Sequence, residues 1–332
     1  MKLVLLAVLV AALPVAAQQP PVGIVDVYGA RTLSADEVRS AAGIGPGDSV
    51  TRSTEQVVRA RLLAALNVTD AQVAIICCSN GQSIVYLGLV EQGDSAIYFA
   101  AAPTGSAVLP RNIVQAEERF GEALQQAVLS GQAEEDDSLG HSLMHYPPAR
   151  EVQQEFMTYA LGNVTVLRDV LQNASDAGQR ALAAQVIAYA INKNAIIPDL
   201  VQALRDPDPQ VRNNAMRALA VMASYAQRHP EAALRIPYEP FVSMLNSPYW
   251  TDRNKAAMVL MSLTAARSPA LMQQLRRTAL PALADMVYWQ TEGHALPAAI
   301  LLGRLGGLPD DAIMSAFHKD RNILIEAARN PI

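Results

Sequence analysis

Aromatic residues, cysteines and long apolar runs are all scarce in this chain of 332 residues. Aromatic side chains form 5% of the sequence although hydrophobic residues form 51%, a balance typical of helices that pack through alanine, valine and leucine. After the first residues, no stretch reaches the roughly 18 consecutive apolar residues that a membrane-spanning helix needs. We therefore expect a largely helical protein with no integral membrane span.

Basic residues are fewer than acidic ones. The 26 Lys and Arg residues against 31 Asp and Glu residues give a formal net charge of −5. Proteins that bind nucleic acids neutralise phosphates with clustered basic residues. The composition therefore predicts no nucleic-acid partner, although it does not exclude a local basic patch.

Common catalytic signatures are absent from the sequence. It contains no Gly-x-Ser-x-Gly turn, no His-Glu-x-x-His zinc motif, no P-loop and no Gly-x-Gly-x-x-Gly dinucleotide fingerprint. The sequence therefore predicts a protein that is not an enzyme and that needs no cofactor.

The first residues have the pattern of an export signal. Lys2 precedes an apolar run over residues 3–13, and Val15 and Ala17 supply the small side chains that precede a cleavage site. We expect residues 1–17 to be a signal peptide that is removed after Ala17. The mature protein would then be periplasmic or secreted, and the sequence does not separate these two destinations.

Residues 22–92 predict a small α/β module. Alternating apolar residues and an Asn-Gly hairpin signal indicate strands, and Ser34 with Glu37 forms a capping box that begins a helix. The predicted order is strand, helix, helix, strand, strand, over residues 22–28, 35–42, 54–66, 72–78 and 83–90.

This order resembles a POTRA domain, a small periplasmic module. The matching pieces are residues 25–29, 33–38, 45–50 and 62–66 and a hairpin that closes at Val90-Glu91. The resemblance implies binding of extended peptides by strand addition at a sheet edge. A packing and spacer domain without a ligand is the alternative.

Cys77 and Cys78 are the only cysteines, which excludes a zinc site made of thiolates. Adjacent strand residues point to opposite faces, so a disulfide between them needs a distorted peptide, which the following Ser79-Asn80-Gly81 turn permits. Three interpretations stay open: a strained vicinal disulfide, a buried thiol beside an exposed one, and a redox or metal-binding role.

Residues 93–160 form a predicted connector. Apolar residues at helical spacing over 111–130 indicate an amphipathic helix. His141 and His145 follow an acidic run, and on a helix their spacing would place both imidazoles on one face. With Asp136 or Asp137 they form a candidate metal site; an acidic, solvated loop is the alternative.

Residues 161–330 contain internal repeats. Arg180, Arg212, Arg253 and His294 recur at intervals of roughly 30–40 residues, a period typical of repeat proteins. Alanine follows at the third and fourth positions in most copies, and a leucine or isoleucine follows at the seventh. The shared positions are Ala183, Ala215, Ala256 and Pro297, then Ala184, Met216, Ala257 and Ala298, then Ile187, Leu219, Leu260 and Leu301.

The clearest unit carries Asp206-Pro207, Val211-Arg212 and Ala215, a pattern that resembles HEAT repeats. The resemblance implies pairs of antiparallel helices that stack into a solenoid, whose extended surface binds a protein or peptide partner. The recurring Arg180, Arg212 and Arg253 are interpreted as a structural ladder with neighbouring aspartates rather than as a ligand site.

Two aromatic pairs occupy equivalent turns within the repeats. Tyr249-Trp250 and Tyr288-Trp289 include both tryptophans of the chain. Exposed Trp and Tyr are enriched at binding hot spots, so these four residues form a candidate partner-binding ridge. Packing against a neighbouring repeat is the alternative.

The sequence therefore predicts an α+β protein in which a small β-α-α-β-β module precedes an all-α HEAT-like solenoid. The predicted function is that of an exported, non-catalytic scaffold or adaptor for a protein or peptide partner. The alternative is a thiol-redox or metal-responsive envelope protein that uses Cys77-Cys78 or His141/His145.

Overall fold

A computed structural model describes residues 19–94 and 97–330 of the chain, without the side chain of Cys78. The predicted signal peptide at residues 1–17 lies outside the described residues. The described part has the α+β architecture expected from the sequence: a small strand-containing module is followed by a helical solenoid. None of its helices combines the length and the apolar character that a membrane crossing requires.

The N-terminal module is a three-stranded sheet with two helices. Strand order is β1-β3-β2; β1 runs parallel to β3, and β2 is antiparallel to it. A two-residue turn at Asn80 and Gly81, both with positive φ, joins β2 to β3, as the Asn-Gly signal predicts. The elements are β1 Val22–Tyr28, α1 Ala35–Ala42, α2 Thr54–Ala65, β2 Val68–Ser79 and β3 Gln82–Glu91.

The central strand β3 is buried on both faces. Successive side chains of a strand point to opposite faces. Val85 and Leu87 therefore pack under α1 and α2, while Ile84 and Tyr86 join the hydrophobic core of the solenoid. This double burial explains the nearly continuous apolar run of β3 and places the sheet between its own helices and the repeats.

A connector joins the module to the solenoid. It contains helix α3 (Arg111–Leu129) and a short hairpin of β4 (Glu135–Asp136) and β5 (Leu143–Met144). Phe120 of α3 packs against Phe156 of the following helix, with ring centroids 5.7 Å apart. Helix α3 therefore covers the apolar side of the first repeat, which would otherwise face water.

The solenoid consists of stacked helices. Helices α5, α7, α9 and α12 pack in succession and form one layer, and the helices before them form the other. The alanines and leucines that recur in the sequence lie buried between these layers. The elements are α4 Pro147–Asn173, α5 Ala177–Ile187, α6 Lys193–Ala203, α7 Pro209–Arg228, α8 Glu239–Met244, α9 Trp250–Leu263, α10 Pro269–Thr278, α11 Leu280–Val287, α12 Glu292–Leu305, α13 Asp310–Lys319 and α14 Asn322–Arg329.

The recurring arginines are buried and hold the turn within each repeat. Arg180 donates through Nη1 to the Ala174 carbonyl at 2.9 Å, and Arg212 donates to the Asp206 carbonyl at 2.8 Å. In the third unit, Arg253 Nε donates to the Ser247 carbonyl at 2.6 Å. Each guanidinium therefore bonds the carbonyl six residues earlier and fixes the backbone that connects the two helices.

The same arginines pair with the aspartate of the next unit. Arg180 holds Asp206 through two hydrogen bonds of 2.7 and 2.9 Å, and Arg212 Nε lies 3.0 and 3.1 Å from the two oxygens of Asp252. Arg253 lies 3.6 Å from Asp285. The three pairs form an arginine–aspartate ladder that links each repeat to its successor.

Removing one member of the ladder leaves its partner charge buried. We expect Arg212→Ala to lower the free energy of unfolding by about 3–5 kcal/mol, because Asp252 is fully buried and loses its cation. Urea denaturation followed by circular dichroism measures the change. Arg228→Ala is the matched control: it breaks an exposed pair with Asp137, so it should cost less than about 1 kcal/mol. Equal losses in the two variants would contradict a structural ladder.

Candidate functional site

The strand module docks on the turns of the third and fourth repeats through aromatic rings. Tyr86 stacks on Trp250 with centroids 4.9 Å apart and meets Trp289 edge-on at 5.1 Å. Tyr28 meets Trp289 at 5.8 Å and donates its hydroxyl hydrogen to the Pro248 carbonyl at 2.7 Å. This arrangement buries one face of the sheet against the solenoid.

The structure corrects the expected role of the two tryptophans. Trp250 and Trp289 are 7% and 1% exposed, because the sheet of the same chain covers them. Tyr249 contacts Phe99 at 6.0 Å, also within the chain. Tyr288, at 49% exposed, is the member of the four that keeps a large free surface. The partner of the two indoles is therefore the N-terminal module rather than another protein.

The sequence carries a signal for this docking outside the repeats. Tyr28 and Tyr86 are aromatic residues on strands β1 and β3, on the face of the sheet that α1 and α2 do not cover. Large aromatic residues on the second face of a small sheet indicate that another element covers that face.

Polar contacts fix the module at its rim. Asp285 accepts hydrogen bonds from the Gly29 amide at 3.0 Å and from Arg31 at 2.8 Å. Asp26 accepts one from the Gln290 amide at 3.1 Å, and burial raises the pKa of this carboxyl group. Gly29 has φ +80°, and any side chain there would collide with the Leu89 carbonyl, so the turn after β1 requires glycine.

An extended segment over residues 97–110 covers the turns of the first two repeats. The Ala100 amide donates to the Arg205 carbonyl at 2.6 Å, and the Gly105 amide donates to the Asn173 carbonyl at 2.9 Å. The ring of Phe99 lies 3.8 Å from the guanidinium carbon of Arg212. The module and this segment therefore occupy consecutive turns along one edge of the solenoid.

A cleft of about 1630 Å³ lies between this N-terminal part and the first helices of the repeats. One wall is formed by Leu89, Val90, Asp94 and residues 97–99 together with the start of β2, and the other by α6, α8, α10 and α11. The prolines that recur in the repeats, Pro198, Pro240 and Pro281, all line the second wall. The cleft is large enough for several residues of an extended peptide.

The cleft carries positive charge although the whole chain is acidic. Arg205, Arg235 and Arg277 line it with exposed side chains, and within residues 19–94 and 97–330 none of the three forms an ion pair. The acidic residues of the lining are Asp70, which pairs with Arg59, and Asp94, which accepts the Glu91 amide. Unpaired guanidinium groups in a concave surface attract carboxylates.

The outer edge of the sheet is partly closed. Strand β2 is an edge strand, and α2 reaches its outward backbone groups with two charged side chains. Arg59 donates to the Ala71 carbonyl at 2.7 Å, and Glu55 accepts from the Ile75 amide at 2.9 Å. Charged side chains on an edge oppose the addition of another strand. Strand addition, which the POTRA resemblance implies, therefore meets an obstacle at β2.

His141 and His145 do not share a helix face. Gly140 has φ +73° and the two histidines flank strand β5, so the spacing that would align them on a helix does not apply. His141 is buried beside Lys193, with Nδ1 3.3 Å from Nζ, while the exposed His145 lies 3.4 Å from Glu134. Among the described residues, no group of three His, Cys, Asp or Glu side chains is arranged to hold a metal ion.

Cys77 lies near the end of β2 and is disulfide-bonded. The side chain of Cys78 lies outside the described residues. The candidate site is therefore built without the adjacent cysteine pair. In the described part of the chain, Cys77 belongs to no group of three side chains that could hold a metal ion.

Trp289 tests whether the sheet depends on the solenoid. We expect Trp289→Ala to lower the free energy of unfolding by about 3–5 kcal/mol, because it leaves a cavity between Tyr28 and Tyr86. Hydrogen exchange of the β1 and β3 amides should become faster in this variant. Tyr288→Ala, at the neighbouring half-exposed position, is the control and should change neither quantity by much. Unchanged exchange in Trp289→Ala would mean that the module is stable on its own.

His294 makes the docking sensitive to pH. Its Nδ1 lies 2.6 Å from the Tyr86 hydroxyl, and burial lowers the pKa of the imidazole to about 4. In the unfolded chain this imidazole binds a proton near pH 6.5, whereas in the folded chain it does so only near pH 4. The free energy of unfolding should therefore fall progressively as the pH falls from about 6.5 to 4. We expect the urea midpoint of the native chain to fall more over this interval than that of His294→Gln. Parallel losses in both proteins would contradict this role of His294.

Comparison with known proteins finds similarity in the repeats. The family model for HEAT repeats matches residues 164–261. No curated protein matches the chain. A designed armadillo repeat protein is 18% identical, with 58% of this chain and 98% of that chain covered and a TM-score of 0.36.

Two further designed proteins are similar at the same level. A designed armadillo repeat protein in complex with the peptide (KR)4 is 14% identical, with 66% and 98% of the two chains covered and a TM-score of 0.36. Computationally designed armadillo repeat proteins for modular peptide recognition are 16% identical, with 66% and 98% covered and a TM-score of 0.38. The resemblance of residues 22–92 to a POTRA domain stays a prediction. The match to the HEAT-repeat family model covers residues 164–261, within the stretch where the sequence predicts the repeats.

Proposed function

We propose that the chain is an exported, non-catalytic scaffold that binds an acidic segment of a partner protein in the cleft between its two modules. The observation that carries the proposal is the set of three exposed arginines along one wall, Arg205, Arg235 and Arg277, which form no ion pair with any described residue. The buried arginines of the ladder are paired with aspartates, whereas these three exposed guanidinium groups lie together on one concave wall.

The lining favours an extended peptide. Apolar side chains such as Ile97, Val201 and Met244 line the cleft together with the arginines and the recurring prolines. Such a surface offers apolar pockets for aliphatic side chains and guanidinium groups for carboxylates. A globular protein would have to insert a loop or terminus, because the cleft is concave and bounded on both sides.

Two observations support export. Residues 1–17 have the order of a secretory signal, and Cys77 is disulfide-bonded. Disulfides persist in oxidising compartments and are rare in the cytosol. An acidic chain with a local basic cleft also fits a binding protein better than a nucleic-acid-binding one, because a polyphosphate would meet net repulsion outside the cleft.

Selection from a library of random dodecapeptides tests the proposal and does not require an identified partner. We expect the mature chain to enrich peptides that carry Asp or Glu beside aliphatic residues. A selected peptide should bind Arg205→Glu, Arg277→Glu at least tenfold more weakly by fluorescence anisotropy, and binding should weaken as salt rises.

Arg111→Glu is the matched control, because Arg111 is an exposed arginine of α3 outside the cleft. It makes the charge change of one of the two cleft substitutions and should leave peptide affinity nearly unchanged. The proposal fails if selected peptides lack acidic residues, if a nucleic acid competes better than the peptide, or if both variants lose affinity equally.

A further inference from the structure

A second cavity lies at the other side of the first repeats. It has a volume of about 220 Å³ and lies beneath α3, between α5, α7 and the segment that enters β5. It shares no lining residue with the large cleft. The space exceeds the roughly 150 Å³ that holds one benzene molecule in an engineered protein cavity.

Two hydrogen-bonding groups on one wall of this cavity have no partner among the described residues. His141 is 8% exposed and its Nε2 is buried without a hydrogen bond, and the hydroxyl of the adjacent Ser142 is buried in the same state. Leaving such groups unpaired away from water costs free energy. Both residues line the cavity, so a molecule inside it could satisfy them.

The protonation of His141 follows from its neighbour. Lys193 Nζ lies 3.3 Å from Nδ1 and donates to the Ala188 carbonyl at 2.7 Å. Since an ammonium group only donates, Nδ1 accepts and the proton of the neutral ring lies on Nε2. Burial beside Lys193 lowers the pKa of His141 to about 4, so the ring is neutral near pH 7. His141 therefore carries an Nε2–H donor without a described partner in the lining of the cavity.

The opposite wall supplies an acceptor. Glu117 of α3 accepts from Gln185 Nε2 through Oε2 at 2.9 Å, and its Oε1 has no hydrogen bond within the described residues. Burial raises the pKa of this carboxyl group to about 7. Gln185 belongs to a chain of amides that continues through Asn214 to Gln210. Phe120 and Tyr189 supply aromatic walls.

The charges of the lining exclude an ionic ligand. Arg217 already forms an ion pair with Glu135, so it offers no free charge to an anion. A cation would be repelled by the ammonium group of Lys193, which stands directly behind His141. A hydroxyl group both donates and accepts, so several hydroxyls on one small ring can satisfy His141, Ser142 and Glu117 together.

We propose that this cavity binds a small uncharged polyhydroxylated molecule, a monosaccharide or a cyclic polyol of the same size. Its hydroxyl oxygens accept from His141 Nε2 and from Ser142, and another hydroxyl donates to Glu117. The aromatic walls cover the apolar face of the ring. This site is independent of the acidic-peptide cleft, and neither needs the other.

Isothermal titration calorimetry on the mature full chain tests the site with D-glucose, D-galactose, D-mannose and myo-inositol. We expect at least one of these probes to bind saturably at one site. Ser142→Ala removes one donor and should weaken that binding about tenfold. Sodium acetate and glycine serve as charged probes of similar or smaller size and should not bind.

Gly121→Phe is designed to fill the cavity without removing any side chain from the hydrophobic core. Gly121 lies on α3 at the lining, and no atom lies within 4 Å of the position of an added Cβ. This variant should lose binding of the sugar while its urea midpoint stays at or above that of the native chain, because glycine disfavours a helix. Gly293→Phe on α12, where the added Cβ also meets no atom, is the matched control and should bind the sugar normally.

The proposal is overturned if none of the four probes binds saturably at concentrations up to about 100 mM. It is also overturned if the binding survives unchanged in both Ser142→Ala and Gly121→Phe, or if acetate or glycine binds in preference. If no probe binds, water alone satisfies the His141 Nε2 and Ser142 hydroxyl groups.

Discussion

The buried arginine–aspartate ladder is the constraint on which the rest of the structure depends. Each of Arg180, Arg212 and Arg253 bonds the carbonyl six residues earlier, so the turns within the repeats have a defined backbone. Fixed turns present carbonyl groups at regular positions along one edge.

The N-terminal part of the chain donates hydrogen bonds to three of these carbonyls, at residues 173, 205 and 248. Two of the guanidiniums also face its rings: Arg212 lies over Phe99 and Arg253 lies 4.6 Å from the centre of Tyr28. Without the ladder there would be no ordered edge on which the strand module could dock.

This docking decides where the open surfaces lie. The strand module and residues 97–110 use the turn edge, and they do so with main-chain hydrogen bonds and aromatic packing of the kind found at protein interfaces. The edge is therefore already occupied by the same chain. The face of the first helices stays open, and the module supplies it with a second wall. The cleft is a consequence of the docking: neither module alone encloses it, and the positively charged residues Arg205 and Arg277 lie on the wall that the module does not cover.

Local patterns in the sequence predict the fold. Contacts between residues that are far apart in the sequence explain why the buried tryptophans and the arginine-lined cleft are not predicted. Ala215 and Leu219 recur because every repeat buries the same positions, so one chain carries several copies of the signal. The capping box of Ser34 and Glu37 needs only four residues, and it forms as expected. The burial of Trp289 depends on Tyr28, which lies far away in the sequence, and no periodic pattern links them. The three arginines of the cleft come from different repeats and from a loop, so their convergence follows from the superhelix and not from spacing.

The remaining edges of the molecule are closed in ways that isolate the cleft. Helix α3 caps the first repeat through Phe120, and Arg321 caps the last by donating to the Val287 carbonyl at 2.8 Å and to that of Trp289 at 3.0 Å. Terminal repeats need such caps because their apolar faces have no neighbour.

Arg59 and Glu55 cover the outward backbone groups of β2. In the part of the chain that the structure describes, three guanidinium groups on one concave wall form no ion pair, and they are the groups that the proposed acidic segment would contact. The unpaired charge is stable only because the cleft is open to water, and a carboxylate-bearing segment is the occupant that would neutralise it on entry.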